Sequence, residues 1–185
     1  MPDKNKVGVG LFILSEAGFF LVLVISYIYF HLLPSPGPSA ANSLSPLRTL
    51  IFSICLFSSS ATIHWAGSSF RRGKTASVTV WLALTVLLGA VFIAGQSIEY
   101  RGLLGRGITL STNLFGTTFF TLTGFHGLHV LVGLCALSTL LGAAVAGRLD
   151  RVKATGFEAV SMYWHFVDAV WVVIFSVVYV WPLVA

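Results

Sequence analysis

A small set of ionisable side chains stands in or at the edge of long apolar runs in this sequence: Glu16, His64, Glu99, His126, His129, His165 and Asp168. Imidazoles and carboxyls in hydrocarbon cost several kcal/mol, so each needs a partner or a task. His126 and His129 lie in the apolar stretch 114–133. Being three apart, they share one face of a helix. Gly116, Gly124, Gly127 and Gly133 in the same stretch let a neighbouring helix approach. Glu16 lies nine residues beyond Val7, about 14 Å along a helix. Ile13, Leu14, Gly18, Phe19 and Phe20 surround it in sequence. A carboxyl there is expected to be neutral unless something pairs with it. Two readings stay open for it: a proton-exchanging or lipid-ordering carboxyl, and a hydrogen-bonding tie between helices.

His64 and His165 lie about 9 and 14 Å from one membrane edge by the same rise. They share that half of the membrane with Glu16, where a Glu–His contact is expected. His165 and Asp168 are three apart and face the same way. Histidines and carboxylates are zinc-ligand types. Only His126 and His129 share a helix, however, and nothing matches the depths of the others. The expectation is therefore no metal, catalytic or cofactor-binding residue. His64, His126, His129, His165 and Asp168 are instead expected to form an interhelical polar network. No helix offers two facing histidines that could clamp a haem.

Glu99 is expected to pair with Arg101 at the outer edge of its helix, and such exposed pairs contribute little. Replacing Glu16 by alanine is expected to leave assembly largely intact, and His165→Ala to be worse. Glu158 opens the last helix, where its charge favours the N-terminal dipole. Aromatic-rich stripes such as Phe19, Phe20, Trp164 and Trp171 are expected to be lipid-facing or packed surface.

Hydrophobic residues make up 56% of the chain and charged ones 9%, with mean hydropathy +0.91. Soluble domains carry about a quarter charged residues, so this composition indicates an integral membrane protein. The net charge of +5 then belongs to the loops between spans and gives no nucleic-acid surface. Cys55 and Cys135 fall within apolar runs and read as small buried hydrophobes.

A span needs about 20 apolar residues. Five candidates are found, at about 7–33, 47–70, 76–100, 113–146 and 156–183, in one all-α transmembrane domain covering 1–185. The first run has no small-residue cleavage site close behind it and is expected to be a retained helix. It is closed by Pro34, Pro36 and Pro38, which open an uncharged linker over 34–46. The fourth run exceeds the bilayer and is expected to tilt or protrude. The fifth is expected to end at Pro182, with Tyr179 and Trp181 as interface anchors. Lys4, Lys6, Arg71, Arg72, Lys74, Arg148, Arg151 and Lys153 fall on one side of this layout, and Arg48, Arg101 and Arg106 on the other. That asymmetry predicts a cytoplasmic N-terminus and a periplasmic C-terminus.

The segment Thr123-Gly-Phe-His126-Gly-Leu-His129-Val resembles the most recognisable motif of subunit III of haem–copper respiratory oxidases. Phe157-Glu158-Ala and Tyr163-Trp-His165-Phe-Val-Asp168-Ala-Val-Trp171 resemble its C-terminal motif. Leu11-Phe-Ile-Leu-Ser15-Glu16 resembles the stretch with the family's carbodiimide-reactive glutamate. Gln96-Ser-Ile-Glu99-Tyr100 and Thr62-Ile-His64-Trp65-Ala match lesser motifs in order. Against the long seven-helix members, the chain is expected to correspond to the five-helix portion, as in short bacterial forms.

The resemblance implies a subunit of a proton-pumping oxidase with no redox centre of its own. Haem and copper are expected in partner subunits. It further implies packing on subunit I, company from subunit II and small subunits, contact with phospholipids, and a place in the bacterial cytoplasmic membrane. Glu16 becomes the buried carboxyl at a lipid or subunit contact. The aa3-type cytochrome c oxidase is the leading expectation. A quinol oxidase, a nitric-oxide-reductase-associated homologue and a stand-alone proton transporter built on Glu16 remain as alternatives. Transporters of that last kind usually show repeats or broken helices, and the sequence has neither.

Overall fold

Water is absent from a bilayer core, so each span must satisfy its own backbone, and the chain does so with helices. The structure is a computed structural model that describes residues 4–33 and 43–184. The prolines at 34, 36 and 38 and most of the linker expected over 34–46 lie outside the described residues. Five long helices are α1 Lys4–His31, α2 Pro46–Arg71, α3 Thr75–Gly105, α4 Leu114–Val145 and α5 Ala154–Phe175. All five are long and apolar enough to cross a membrane. A 3₁₀ turn, Leu149–Arg151, joins α4 to α5.

Local chemistry sets several ends. Pro46 sits in the first turn of α2, where its missing N–H is not needed. Asn113 caps α4, its side-chain oxygen accepting from the Gly116 N–H at 2.9 Å. Gly73 and Gly147 follow α2 and α4 with φ of 68° and 66°, the left-handed conformation that lets a chain leave a helix sharply.

The last helix does not stop at Pro182. Residues Ser176–Val180 widen into a π-helical turn and a short helix α6, Trp181–Val184, carries the chain on. Proline removes one N–H and crowds the carbonyl four residues before it, and a wider turn accommodates both. Tyr179 is also not an interface anchor. It is fully buried, stacked on Phe175 and tilted against Trp171. Trp181 instead meets His31 at the end of α1, with ring centroids 5.2 Å apart.

α2 and α3 make the most extensive helix–helix contact in the bundle, and α3 packs in turn on α4. α5 packs against α1, α2 and α4, and so lies at the centre of the bundle. Its tryptophans are core residues: Trp164 and Trp171 are fully buried, against the expectation of a surface stripe. Two glycines make room for Trp164, since a Cβ on Gly89 or Gly133 would lie 2.8 or 2.7 Å from its ring. Of the other glycines expected to admit a neighbour, Gly127 has open space around it. Cys135 is exposed and Cys55 half-buried, so neither is a core hydrophobe. α5 begins at Ala154, which moves Glu158 into the second turn rather than the first, past the strongest part of the dipole.

Candidate functional site: the polar seams between helices

The polar side chains expected to form one network instead occupy three separate places. The first lies between α1 and α4. His129 Nε2 meets Glu16 Oε2 at 3.0 Å, and its Nδ1 lies 2.7 Å from the Phe125 carbonyl. A carbonyl only accepts, so Nδ1 carries a proton and Nε2 faces the carboxyl. A proton therefore lies in the Nε2–Oε2 contact whether the pair is charged or neutral. Tyr163 of α5 donates its hydroxyl to the His129 carbonyl at 3.2 Å. Phe19 and Phe20 shield the imidazole, with Phe20's centroid 4.9 Å away. Glu16 keeps 23% side-chain exposure and His129 14%. The expected Glu–His contact thus exists, but with His129 and not with His64 or His165.

The second place is the bundle core, where His126 is 1% exposed. Three helical residues turn about 300°, so His126 and His129 diverge by about 60°. That angle sends His129 to the α1 seam and His126 inward. His126 stacks on Trp171 at 4.9 Å and meets the edges of Phe92 and Phe20. Neither ring nitrogen has a hydrogen bond among the described residues. Its expected interhelical hydrogen bond is replaced by an aromatic cage.

The third place lies between α2 and α5. Ser60 Oγ donates to Asp168 Oδ2 and lies 3.0 Å from His165 Nδ1. Asp168 is buried and its Oδ1 has no partner among the described residues. His64 lies one turn along α2 and is exposed.

The expected Glu99–Arg101 pair is not formed. Residues two apart on a helix point away from each other, and Arg101 is exposed while Glu99 is 3% exposed. Glu99 instead accepts from the Ser45 N–H at 3.2 Å and the Thr49 hydroxyl at 3.1 Å, with Arg48 at 3.6 Å. Sequence reading also missed a set of hydroxyl ties. The Trp164 and Trp171 indoles donate to Ser59 and Ser53, each at 2.8 Å. Thr62 meets Thr85 at 2.7 Å, and Tyr100 meets Thr123 at 2.7 Å. The run Ser-Ser-Ser-Ala-Thr at 58–62 was the available signal, because a lipid-facing helix has no use for so many hydroxyls.

Chemically, these seams can hold protons and lock helices together. Among the described residues no three His, Cys, Asp or Glu side chains converge as metal ligands do.

The family model for cytochrome c oxidase subunit III matches residues 3–183. The chain belongs to the subunit III family. A Synechocystis relative named cytochrome c oxidase subunit 3 is 41% identical over 180 residues, covering 96% of this chain and 76% of the relative. A Corynebacterium diphtheriae relative of the same name is 35% identical over 181 residues, covering 96% of this chain and 88% of its own length. One from Lumbricus terrestris is 37% identical over 181 residues, covering 94% and 69%. As a subunit III chain with five membrane-compatible helices, it is a multi-pass membrane protein whose homologues are parts of an oxidoreductase complex.

The Glu16–His129 seam makes a measurable claim for this subunit III chain. Glu16→Leu and His129→Leu are each expected to lower stability by about 1–3 kcal/mol, because each leaves a half-buried polar partner alone. The double variant should lose less than the two singles together, with a coupling of about 0.5–3 kcal/mol. Thermal unfolding of the four proteins gives the cycle, and additive losses would show that the contact ties nothing.

Proposed function

We propose that this chain is the non-catalytic subunit III of an aa3-type cytochrome c oxidase. In this reading it packs on subunit I with subunit II and small subunits nearby. It supports proton uptake and protects the oxygen-reducing core during turnover. Haem and copper belong to the partner subunits, and phospholipids border the bundle. The complex sits in a bacterial cytoplasmic membrane with this chain's N-terminus in the cytoplasm, in accord with the distribution of basic loops.

The observation that carries the reading is the Glu16–His129 pair, within hydrogen-bonding distance on a mostly buried seam that keeps some exposure. A carboxyl held by an imidazole at the bundle surface suits a group that exchanges protons or contacts lipid beside a larger partner. Purification of the native complex tests the reading. The chain is expected to copurify with haem a and a copper-bearing subunit. Oxidase stripped of the chain is expected to turn over at first and then lose activity within the assay, faster than the intact complex. Quinol turnover by a complex without the copper-bearing subunit would reassign the chain to a quinol oxidase. A chain that migrates alone, without haem absorbance, would remove the reading altogether.

A further inference from the structure

Between α2 and α5 a single hydroxyl joins a buried carboxyl to an exposed imidazole. Ser60 Oγ meets Asp168 Oδ2 on one side and His165 Nδ1, at 3.0 Å, on the other. Asp168 is 5% exposed, whereas His165 opens onto the outer face of the bundle. A serine hydroxyl carries one proton, so it donates to one of these neighbours while it accepts from the other.

The Glu16–His129 seam lacks this freedom. There the Phe125 carbonyl fixes a proton on His129 Nδ1, because a carbonyl only accepts. His165 Nδ1 faces a hydroxyl instead, which suits a bare nitrogen as well as a protonated one. The carboxyl is equally free. Asp168 Oδ1 has no partner among the described residues. Ionised, the group has room for about four donors, and with so few of them a buried charge is costly.

The surroundings act on the imidazole end. His64 on α2 faces His165, and Arg71 on α2 lines the adjoining cavity of about 190 Å³ with Glu158 and Ser161 of α5. The two basic groups oppose a charge on His165 and the Glu158 carboxylate favours it. Glu16 on α1 is engaged with His129 on α4, and His126 on α4 lies in its aromatic cage.

We propose that Asp168, Ser60 and His165 form a proton-binding site, which holds one shared proton and relays it between carboxyl and imidazole. In the acid form Asp168 Oδ2 donates to Ser60 Oγ, and Ser60 donates to His165 Nδ1. On transfer the Oδ2–H and Oγ–H bonds break, while a new Oγ–H and an Nδ1–H bond form. Asp168 becomes a carboxylate, His165 an imidazolium, and Ser60 is again a hydroxyl. The reverse step carries a proton from the His64 side of the seam to the buried carboxyl. This site depends only on residues of this chain, whichever oxidase the chain serves.

Infrared difference spectra of the purified native complex between about pH 5 and 9 test it, a range that brackets the ordinary histidine pKa. Asp168→Asn identifies the carboxylic C=O band, and His165→Gln the histidine band under isotope-labelled histidine. Both bands are expected to change with pH in common steps, since the titration belongs to the pair. Ser60→Ala is expected to part the two profiles by about one pH unit or more, and Ser60→Thr to keep them together. An Asp168 band that stays constant in the wild-type protein overturns the proposal and leaves Ser60 a plain tie between helices. Profiles that stay joined in Ser60→Ala also overturn it, because the hydroxyl then carries no proton between the two.

Discussion

Trp164→Ala is expected to cost this chain about 3–5 kcal/mol of stability, the range for deleting a large buried aromatic. Its indole is fully buried at the centre of the bundle. The ring fills the space left by Gly89 on α3 and Gly133 on α4, while its Nε1 donates to Ser59 on α2. One side chain thus touches three other helices, and its removal leaves a cavity that none of them can close alone. Lipid is as apolar as the core, so the loss falls on packing and on the hydrogen bond rather than on water exclusion. Trp164→Phe should lie between, keeping part of the ring and losing the donor. Trp65→Ala, where the side chain is 48% exposed, should change little. Thermal unfolding followed by near-ultraviolet circular dichroism reads all three. Gly133→Leu should be harmful alone and less harmful in the Trp164→Ala background, where its side chain has a hole to enter. A strictly additive pair would refute the packing account.

The number of helices was legible because a span is long and apolar whatever it packs against. Which side of each helix faces inward was not. In soluble helices a polar face marks the outside, but here both the outside and the inside are hydrocarbon-like. Trp171 and Tyr179 therefore read as surface aromatics and proved to be core, and Cys135 read as core and is exposed. The ionisable residues were legible as residues needing partners, since their cost in hydrocarbon is independent of orientation. Their partners were not, because pairing depends on angles that spacing gives only coarsely. The divergence of about 60° between His126 and His129 decides which of them reaches Glu16. Sequence proximity points Glu99 to the nearest cation, Arg101, whereas the fold brings Arg48 from the start of α2 close to it. Backbone donors such as the Ser45 N–H leave no trace in a sequence at all.

That last contact makes Glu99→Leu the second large expected effect, a loss of about 2–3 kcal/mol. The carboxylate closes the start of α2 onto the end of α3. It accepts the Ser45 N–H, one of the donors near the start of α2 that lie close to the helix end, and the Thr49 hydroxyl one turn later. Arg48, 44% exposed, adds a partly solvated charge at 3.6 Å, which is the weakest of the three contacts. Leucine fills much of the volume, so packing is nearly conserved and the loss is mainly polar. Glu99→Gln keeps an acceptor for Ser45 or Thr49 and should lose clearly less. Removing Arg48 should matter least, because water and head groups can replace it. Hydrogen exchange locates the effect: in Glu99→Leu the amides from Ser45 to Thr49 should exchange faster, while those around Thr62 and Thr85 stay protected. If exchange rises evenly along α2 instead, Glu99 supports the whole helix pair and is not a clamp on its first turn.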